Sequence, residues 1–389
     1  MPTRGGWLLG LSSAVAGAGG RLLGLRELFL IAAGGGALSL CALAYVRVRR
    51  FTVHAGRRLV PGCLPVGGSC QVELTLTNGR RRRSPVLDLH DGSRYRFLLD
   101  PLDPAEEARG VYMLEALRRG LLPVGPLRAR LRDPFGLAAR AVTVLPPGTL
   151  TVHPRVEPIG PPPDPPGVSV LNGPRRTTLS PGPGGDFHAL RPYQEGDDLR
   201  LVHWPTSARL DALVVRQEEA PLLRQTAIAL DLRRSVHDQE TIERAVSAAA
   251  SVAAASCGDD GVVRLVTTGA VDTGTAGGEA HVQDILDLLA TVDSDDGAGL
   301  GPLTSVLGES EGATVVLVTT SAASAEDLRV MAGLRPRCPQ IIAVVFGRGR
   351  AAPVSPPHPA PFDAVVRVDG KAHFGDAWAH LLSGALVDQ

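Results

Sequence analysis

Leu28 to Val46 reads LFLIAAGGGALSLCALAYV, nineteen residues without a charge. A run of about 20 apolar residues is what a helix needs to cross a hydrocarbon core. Its three glycines, Gly34 to Gly36, suit a membrane, where small residues let helices approach closely. A shorter apolar run, Trp7 to Gly20, ends at Arg21. Together they predict a transmembrane helical hairpin within residues 1–50, with helices at 7–23 and 28–46 and a tight loop around Arg21–Glu27. A signal-peptide core is the alternative for the first run. A buried helix of a soluble protein is the alternative for the second, although such helices seldom run this far without a polar face.

Residues 51–153 change period. Cys70–Thr77, CQVELTLT, alternates polar and apolar and meets a turn signal at Asn78-Gly79. Val86–His90, Tyr95–Leu99, Val111–Leu117, Pro126–Leu131 and Ala141–Leu145 are further short strands, set apart by Gly, Pro and Asp. Short strands at regular spacing predict a small β-sandwich-like domain, with Arg80–Arg83 on a hairpin tip.

Residues 154–185 are a linker. Ten of the thirty residues from Pro154 to Pro183 are proline, which rules out helix or central strand. Its ends should be ordered and its middle extended.

From Thr226 apolar runs alternate with helical stretches. The runs are Thr226–Leu230, Val262–Thr267, Thr314–Thr319, Ile341–Phe346 and Ala364–Val368. The helical stretches are Thr241–Cys257, His281–Thr291, Ser324–Leu334 and Phe374–Leu386. Alternation of this kind predicts an α/β domain over 226–389, a parallel sheet covered on both faces. Ligands of such sheets bind beyond the carboxyl ends of the strands, the first of which is Asp231-Leu-Arg-Arg-Ser235.

Charge sharpens the picture of location. The net charge is zero, yet residues 1–60 carry eight arginines against Glu27, and residues 226–389 carry eleven basic against twenty-one acidic residues. Arg47, Arg49, Arg50, Arg57 and Arg58 follow the second apolar run, and positive flanks stay inside. This predicts a multi-pass protein of the cell membrane with its soluble domains facing the cytoplasm and lipid as the partner of the basic end. Nucleic acid is not expected, because no aromatic platform accompanies the arginines. Five scattered cysteines without a C-x-x-C imply neither a disulfide framework nor a zinc cluster.

Chemistry concentrates in RPYQEGDDLRLVHWPTSAR, Arg191 to Arg209, within the segment 186–225. This stretch, the RDPFG sequence at Arg132–Gly136, the apolar hairpin and the C-terminal α/β pattern together resemble the bacterial domain of unknown function 58 family. The resemblance implies a membrane protein with a von Willebrand factor A-like C-terminal domain. It implies partnership with a MoxR-type AAA+ ATPase in the assembly of, or metal insertion into, other proteins. No defined reaction comes with it. The sequence departs from the family where Pro205 replaces a basic residue. It departs again where the A-type metal motif, D-x-S-x-S, appears as Asp231-Leu232-Arg233-Arg234-Ser235.

Asp231 and Ser235 remain as candidate Mg²⁺ ligands, with Thr304 in GLGPLTS as a further hydroxyl. Arg233 brings a positive charge to the ion's seat, and the strand end that usually supplies an acid reads Thr319-Thr320-Ser321. The expectation is an Arg233–Asp231 ion pair in place of the metal, and no cofactor. In the Arg191–Arg209 stretch, Asp186, His188, Asp197, Asp198 and His203 could serve a metal-dependent hydrolase. The spacing matches no ligand motif. The favoured reading is structural: Gly196 turns the chain, Arg191, Arg200 and Arg209 pair with Asp197 and Asp198, and Tyr193 and Trp204 bury their rings. Ser207 completes this interaction segment, a seam that locks the linker to the α/β domain and shapes a docking face. Gly308-Glu-Ser-Glu-Gly312 matches a nucleophile elbow, but its strand follows instead of preceding it. Lys371 has no Gly-rich loop before it, so no phosphate-binding loop is present and ATP must be hydrolysed by a partner. The function expected is that of a non-enzymatic membrane-anchored adaptor.

Overall fold

The computed structural model describes residues 1–49, 51–165, 187–193, 202–210, 212–218, 224–258, 261–297, 299–347, 362–370 and 372–385. The chain forms two compact units, Met1–Pro154 and Arg155–Gln389.

The first unit begins with two helices, α1 (Arg4–Leu23) and α2 (Arg26–Val48), joined by a turn at Gly24, whose φ of 68° favours glycine. They pack through small residues. A side chain at Gly35 would collide with Ser13 Oγ, and one at Gly20 would press on Leu28 and Phe29. Their outer faces carry exposed Trp7, Leu8, Leu11, Val15, Leu30, Ile31 and Leu40. Among the described helices, α2 is long and apolar enough to cross a membrane.

Ten strands follow: β1 (Val53–Val60), β2 (Cys63–Pro65), β3 (Ser69–Asn78), β4 (Leu87–Asp91), β5 (Tyr95–Leu99), β6 (Glu107–Glu115), β7 (Gly120–Val124), β8 (Leu127–Arg132), β9 (Ala139–Leu145) and β10 (Gly148–His153). They form sheets ordered β1-β3-β6, β2-β10-β7 and β5-β4-β8-β9. Period-two patterning explains the core. Val72, Leu74 and Leu76 of β3 point inward with Leu87 and Leu89 of β4, Leu127 and Leu131 of β8, and Leu150 of β10. Arg80–Arg83 does not cap a hairpin. β3 pairs with β1 and β6, so this basic stretch crosses between sheets. Asn78, 4% exposed, anchors that crossing by donating to the carbonyls of Arg82, Leu102 and Asp103.

In the second unit, residues 155–165 lie against the α/β domain. Glu157 N–H donates to Ser251 Oγ, Trp378 Nε1 donates to Gly160 O at 2.8 Å, and Asp164 receives two bonds from Arg224. The middle of the proline-rich segment lies outside the described residues. A hairpin of β11 (Phe187–Pro192) and β12 (Val214–Glu218) encloses α3 (Trp204–Leu210).

The α/β domain then runs β13 (Gln225–Leu230), α4 (Gln239–Gly258), β14 (Val262–Thr267), β15 (Ala276–Gly277), α5 (Glu279–Thr291), α6 (Gly301–Leu307), β16 (Thr314–Thr320), α7 (Ala325–Val330), β17 (Gln340–Phe346), β18 (Ala364–Val368) and α8 (Phe374–Ala385). The sheet order is β15-β14-β13-β16-β17-β18, parallel throughout except for the short edge strand β15. Ile228 and Leu230 of β13 face α4 and α5, whereas Ala227 and Ala229 face Leu303 and Leu307 of α6. Burial on both faces is why these strands read as unbroken apolar runs. GLGPLTS, read from the sequence as a carrier of a ligand hydroxyl, leads into the helix α6, which contains Thr304.

Candidate functional site

β13 is the topological switch point of the sheet. The chain leaves it for β14 on one side and later places β16 on the other. Diverging connections open a crevice at the carboxyl end of such a strand. Asp231, the first residue past β13, stands there, and its N–H donates to Val318 O on β16.

Asp231 is fully buried and Arg233 is 5% exposed. Their ion pair is bidentate. Arg233 Nε meets Asp231 Oδ1 at 2.9 Å, and Arg233 Nη2 meets Asp231 Oδ2 at 2.9 Å. Asp231 Oδ1 also accepts from the Arg233 backbone N–H, and Oδ2 accepts from Thr319 Oγ1 at 2.8 Å. The spare guanidinium nitrogen, Nη1, donates to Asp327 Oδ2 at 3.0 Å. Hydrogen bonding to Asp231 is the largest influence on Arg233 and raises its pKa further, so the guanidinium keeps its proton. Burial pushes the Asp327 carboxyl up, but the bonds from Arg233 and Ser324 outweigh it and hold the group below the usual carboxylate range.

The expected Arg233–Asp231 pair is therefore formed, and an acid the sequence did not reveal joins it. Asp327 is 94 residues away in the chain and sits in the first turn of α7. A signal was available. Ser324 caps that helix and accepts from the Asp327 N–H, and Ser followed three residues later by an acid marks a helix start. A second missed acid, Asp295, fixes the loop after β13. Its backbone bonds Leu232 O and the Arg234 N–H, and its Oδ2 accepts from Thr268 Oγ1, which in turn accepts the Leu232 N–H.

The other hydroxyls expected here are placed differently. Ser235 is exposed at the end of the turn. Thr304 Oγ1 donates to Gly301 O inside α6. Among the described residues, no group of three His, Cys, Asp or Glu side chains is placed to hold a metal ion. Behind the turn, His237 is buried, 4% exposed. Burial lowers its pKa, which keeps the imidazole neutral.

The Arg191–Arg209 stretch is only partly described. Asp186, Gly196, Asp197, Asp198 and Arg200 lie outside the described residues, as do the ion pairs expected of them. Arg191 and His188 lie on β11. Tyr193 continues that edge, its N–H donating to Leu213 O. His203 precedes α3 and bonds Thr206 Oγ1 through Nδ1 at 2.8 Å. Ser207, buried, accepts the Val214 N–H at 3.0 Å and so ties α3 to β12. Arg209 is exposed at the end of that helix. One expectation fails. Trp204 does not bury its ring; it is 63% exposed, alongside Leu210 at 63% and Leu213 at 42%. Ser207 is the buried residue of this two-turn helix, whereas Trp204, Ala208, Arg209 and Leu210 are exposed.

Residues 189–330 match the family model described as Protein of unknown function DUF58. The matched residues include Tyr193, the exposed Trp204 and the whole Asp231–Arg233–Asp327 cluster, so both candidate sites fall within the match. No curated protein matches the chain. Among solved structures, the chain is similar to the CARDB domain of the PF1109 protein from Pyrococcus furiosus. The crystal structure of that domain in complex with di-metal ions aligns at 12% identity over 26% of this chain and 92% of that one, with a TM-score of 0.20. Its solution structure aligns at 15% identity over 24% and 94%, with a TM-score of 0.15.

Proposed function

We propose that the protein is a membrane-anchored, non-enzymatic adaptor whose DUF58 segment docks a MoxR-type AAA+ ATPase. The observation that carries this reading is Trp204. A tryptophan held 63% exposed beside Leu210 and Leu213, on a helix whose backbone is pinned by Ser207, is an arrangement suited to burial by a partner. The crevice at β13 supports it. The place where a parallel sheet would seat a ligand holds a saturated ion pair, with Arg233 as the resident cation of a von Willebrand factor A-like domain. Apolar α1 and α2 form a membrane hairpin on this reading, and Arg47, Arg49, Arg57 and Arg58 keep the soluble units in the cytoplasm.

The test is recovery from detergent. The full-length protein should retain a MoxR-type ATPase, and Trp204→Ala should weaken that retention by about tenfold or more, as loss of a central aromatic anchor does. Failure to recover any AAA+ protein, with or without ATP, would overturn the proposal.

A further inference from the structure

The RDPFG sequence has a position in the fold that its chemistry explains. Asp133, 4% exposed, accepts the Phe135 N–H on Oδ2 and the Ala138 N–H on Oδ1, while its carbonyl accepts from Gly136. Pro134 presets the turn, and Gly136 closes it at a φ of 70°. The turn is therefore built rigidly, and what it presents is Phe135, 68% exposed. A turn apex ordinarily carries a polar residue.

The same turn is stitched to the start of α1. Thr3 Oγ1 donates to Gly136 O at 2.6 Å, the Thr3 N–H donates to Leu137 O at 2.8 Å, and the Ala139 N–H donates to Met1 O at 2.9 Å. At Gly6 the helix passes so close that a side chain would strike the Leu137 carbonyl. Trp7, on the next position of α1, is 70% exposed. The turn that carries Phe135 is thus tied to the start of a helix whose outer face is apolar. Arg4 and Arg140, both exposed, flank the joint. Aromatic rings beside arginines at the end of an apolar helix are the composition of a membrane–water interface, where rings sit at headgroup level and cations meet anionic lipid.

We infer that the Asp133–Gly136 turn is a lipid-contacting element that sets Phe135 into the bilayer interface next to the start of α1, docking the β-rich unit on the membrane surface. This rests on the hairpin reading above, and Gly6 is the position that lets the helix approach the Leu137 carbonyl of the turn.

The experiment uses the full-length chain in vesicles of phosphatidylcholine and phosphatidylglycerol. In a Cys41→Ala, Cys63→Ser background, an environment-sensitive fluorophore is attached at Phe135→Cys, and separately at Pro134→Cys with Phe135 retained. A third label at Leu30→Cys, on α2, reports insertion of the hairpin. Lipids carrying a shallow nitroxide should quench both turn labels, and Gly6→Val should reduce quenching at the turn but not at Leu30→Cys. Quenching at Leu30→Cys with none at either turn position overturns the proposal and leaves the hairpin standing. Absence of quenching at all three removes both.

Discussion

Replacing Arg233 by alanine is the sharpest test of how the sheet's crevice is built. The side chain makes three charge-assisted bonds, two to Asp231 and one to Asp327. At about 1.5–3 kcal/mol each they would exceed 4 kcal/mol in sum, but burying the guanidinium takes part of that back. The larger effect is on Asp231, which is fully buried and would be left with only the Arg233 backbone N–H and the Thr319 hydroxyl as partners for its carboxyl group. Breaking one side of such a pair costs about 3–5 kcal/mol, a large share of the 5–15 kcal/mol that holds a domain together. Two controls separate charge from packing. Asp327→Ala removes the bonds from Arg233 and from the Ser324 hydroxyl to a carboxylate 22% exposed and should cost about 1–2 kcal/mol. Asp231→Asn combined with Arg233→Met removes both charges and should fall within about 1–2 kcal/mol of the parent. Hydrogen exchange on the full-length protein, read at β13 and β16, reports these costs where they arise. If Arg233→Ala changed protection there by less than about 1 kcal/mol, the pair would not be what closes the crevice.

Trp204→Ala should leave stability within about 0.5 kcal/mol, because the ring is exposed, while weakening ATPase retention; a large loss of stability would return the ring to a structural role. His237 carries a folded-state pKa below its unfolded value of about 6.5, so its contribution is complete above that pH and is lost as pH falls toward the folded value. Acid-induced loss of stability below about pH 6.5 should therefore flatten in His237→Phe, as urea titrations at several pH values would register. Asp88, Asp272 and Asp327 also have lowered pKa values, so a second loss should begin only below about pH 4, near the unfolded carboxylate value. Trp378→Phe keeps most of the packing but loses the bond to Gly160 O, and should cost about 1 kcal/mol with faster exchange in residues 155–165. Calorimetric titration of the native protein with Mg²⁺ should show no tight binding; strong binding would refute the view that Arg233 fills the cation's place.

Much of the architecture is legible in local pattern. The helix spanning α2 follows from an uncharged run too long for most soluble cores, and β13, β14, β16, β17 and β18 follow from β-branched runs bounded by helical periods. Four strands of the first unit are less legible. β1, β2 and β7 are short or half-exposed and carry arginine, glycine or proline, and these three and β10 are short or pair with partners far along the chain. The linker divided in the same way. Its prolines announce extended chain, but that Glu157, Gly160 and Asp164 would be bound by Gly375, Trp378 and Arg224 is not written in their neighbours.

At the site the division is cleaner. Asp231 and Arg233 are two residues apart on a turn, so their pairing is a local matter and can be read from the chain. Which strand becomes the switch point is not local, and it is the sheet order that makes Asp231 a buried residue at a crevice. Asp327 reaches Arg233 only because α7 starts directly after β16, the strand laid beside β13. Trp204 makes the same point from the other side. Its size predicts burial, but in a helix of 7 residues tied to β12 through Ser207 the ring stays 63% exposed. Spacing along a chain tells which groups share a turn; which groups lose water is decided by elements that meet only when the sheet closes.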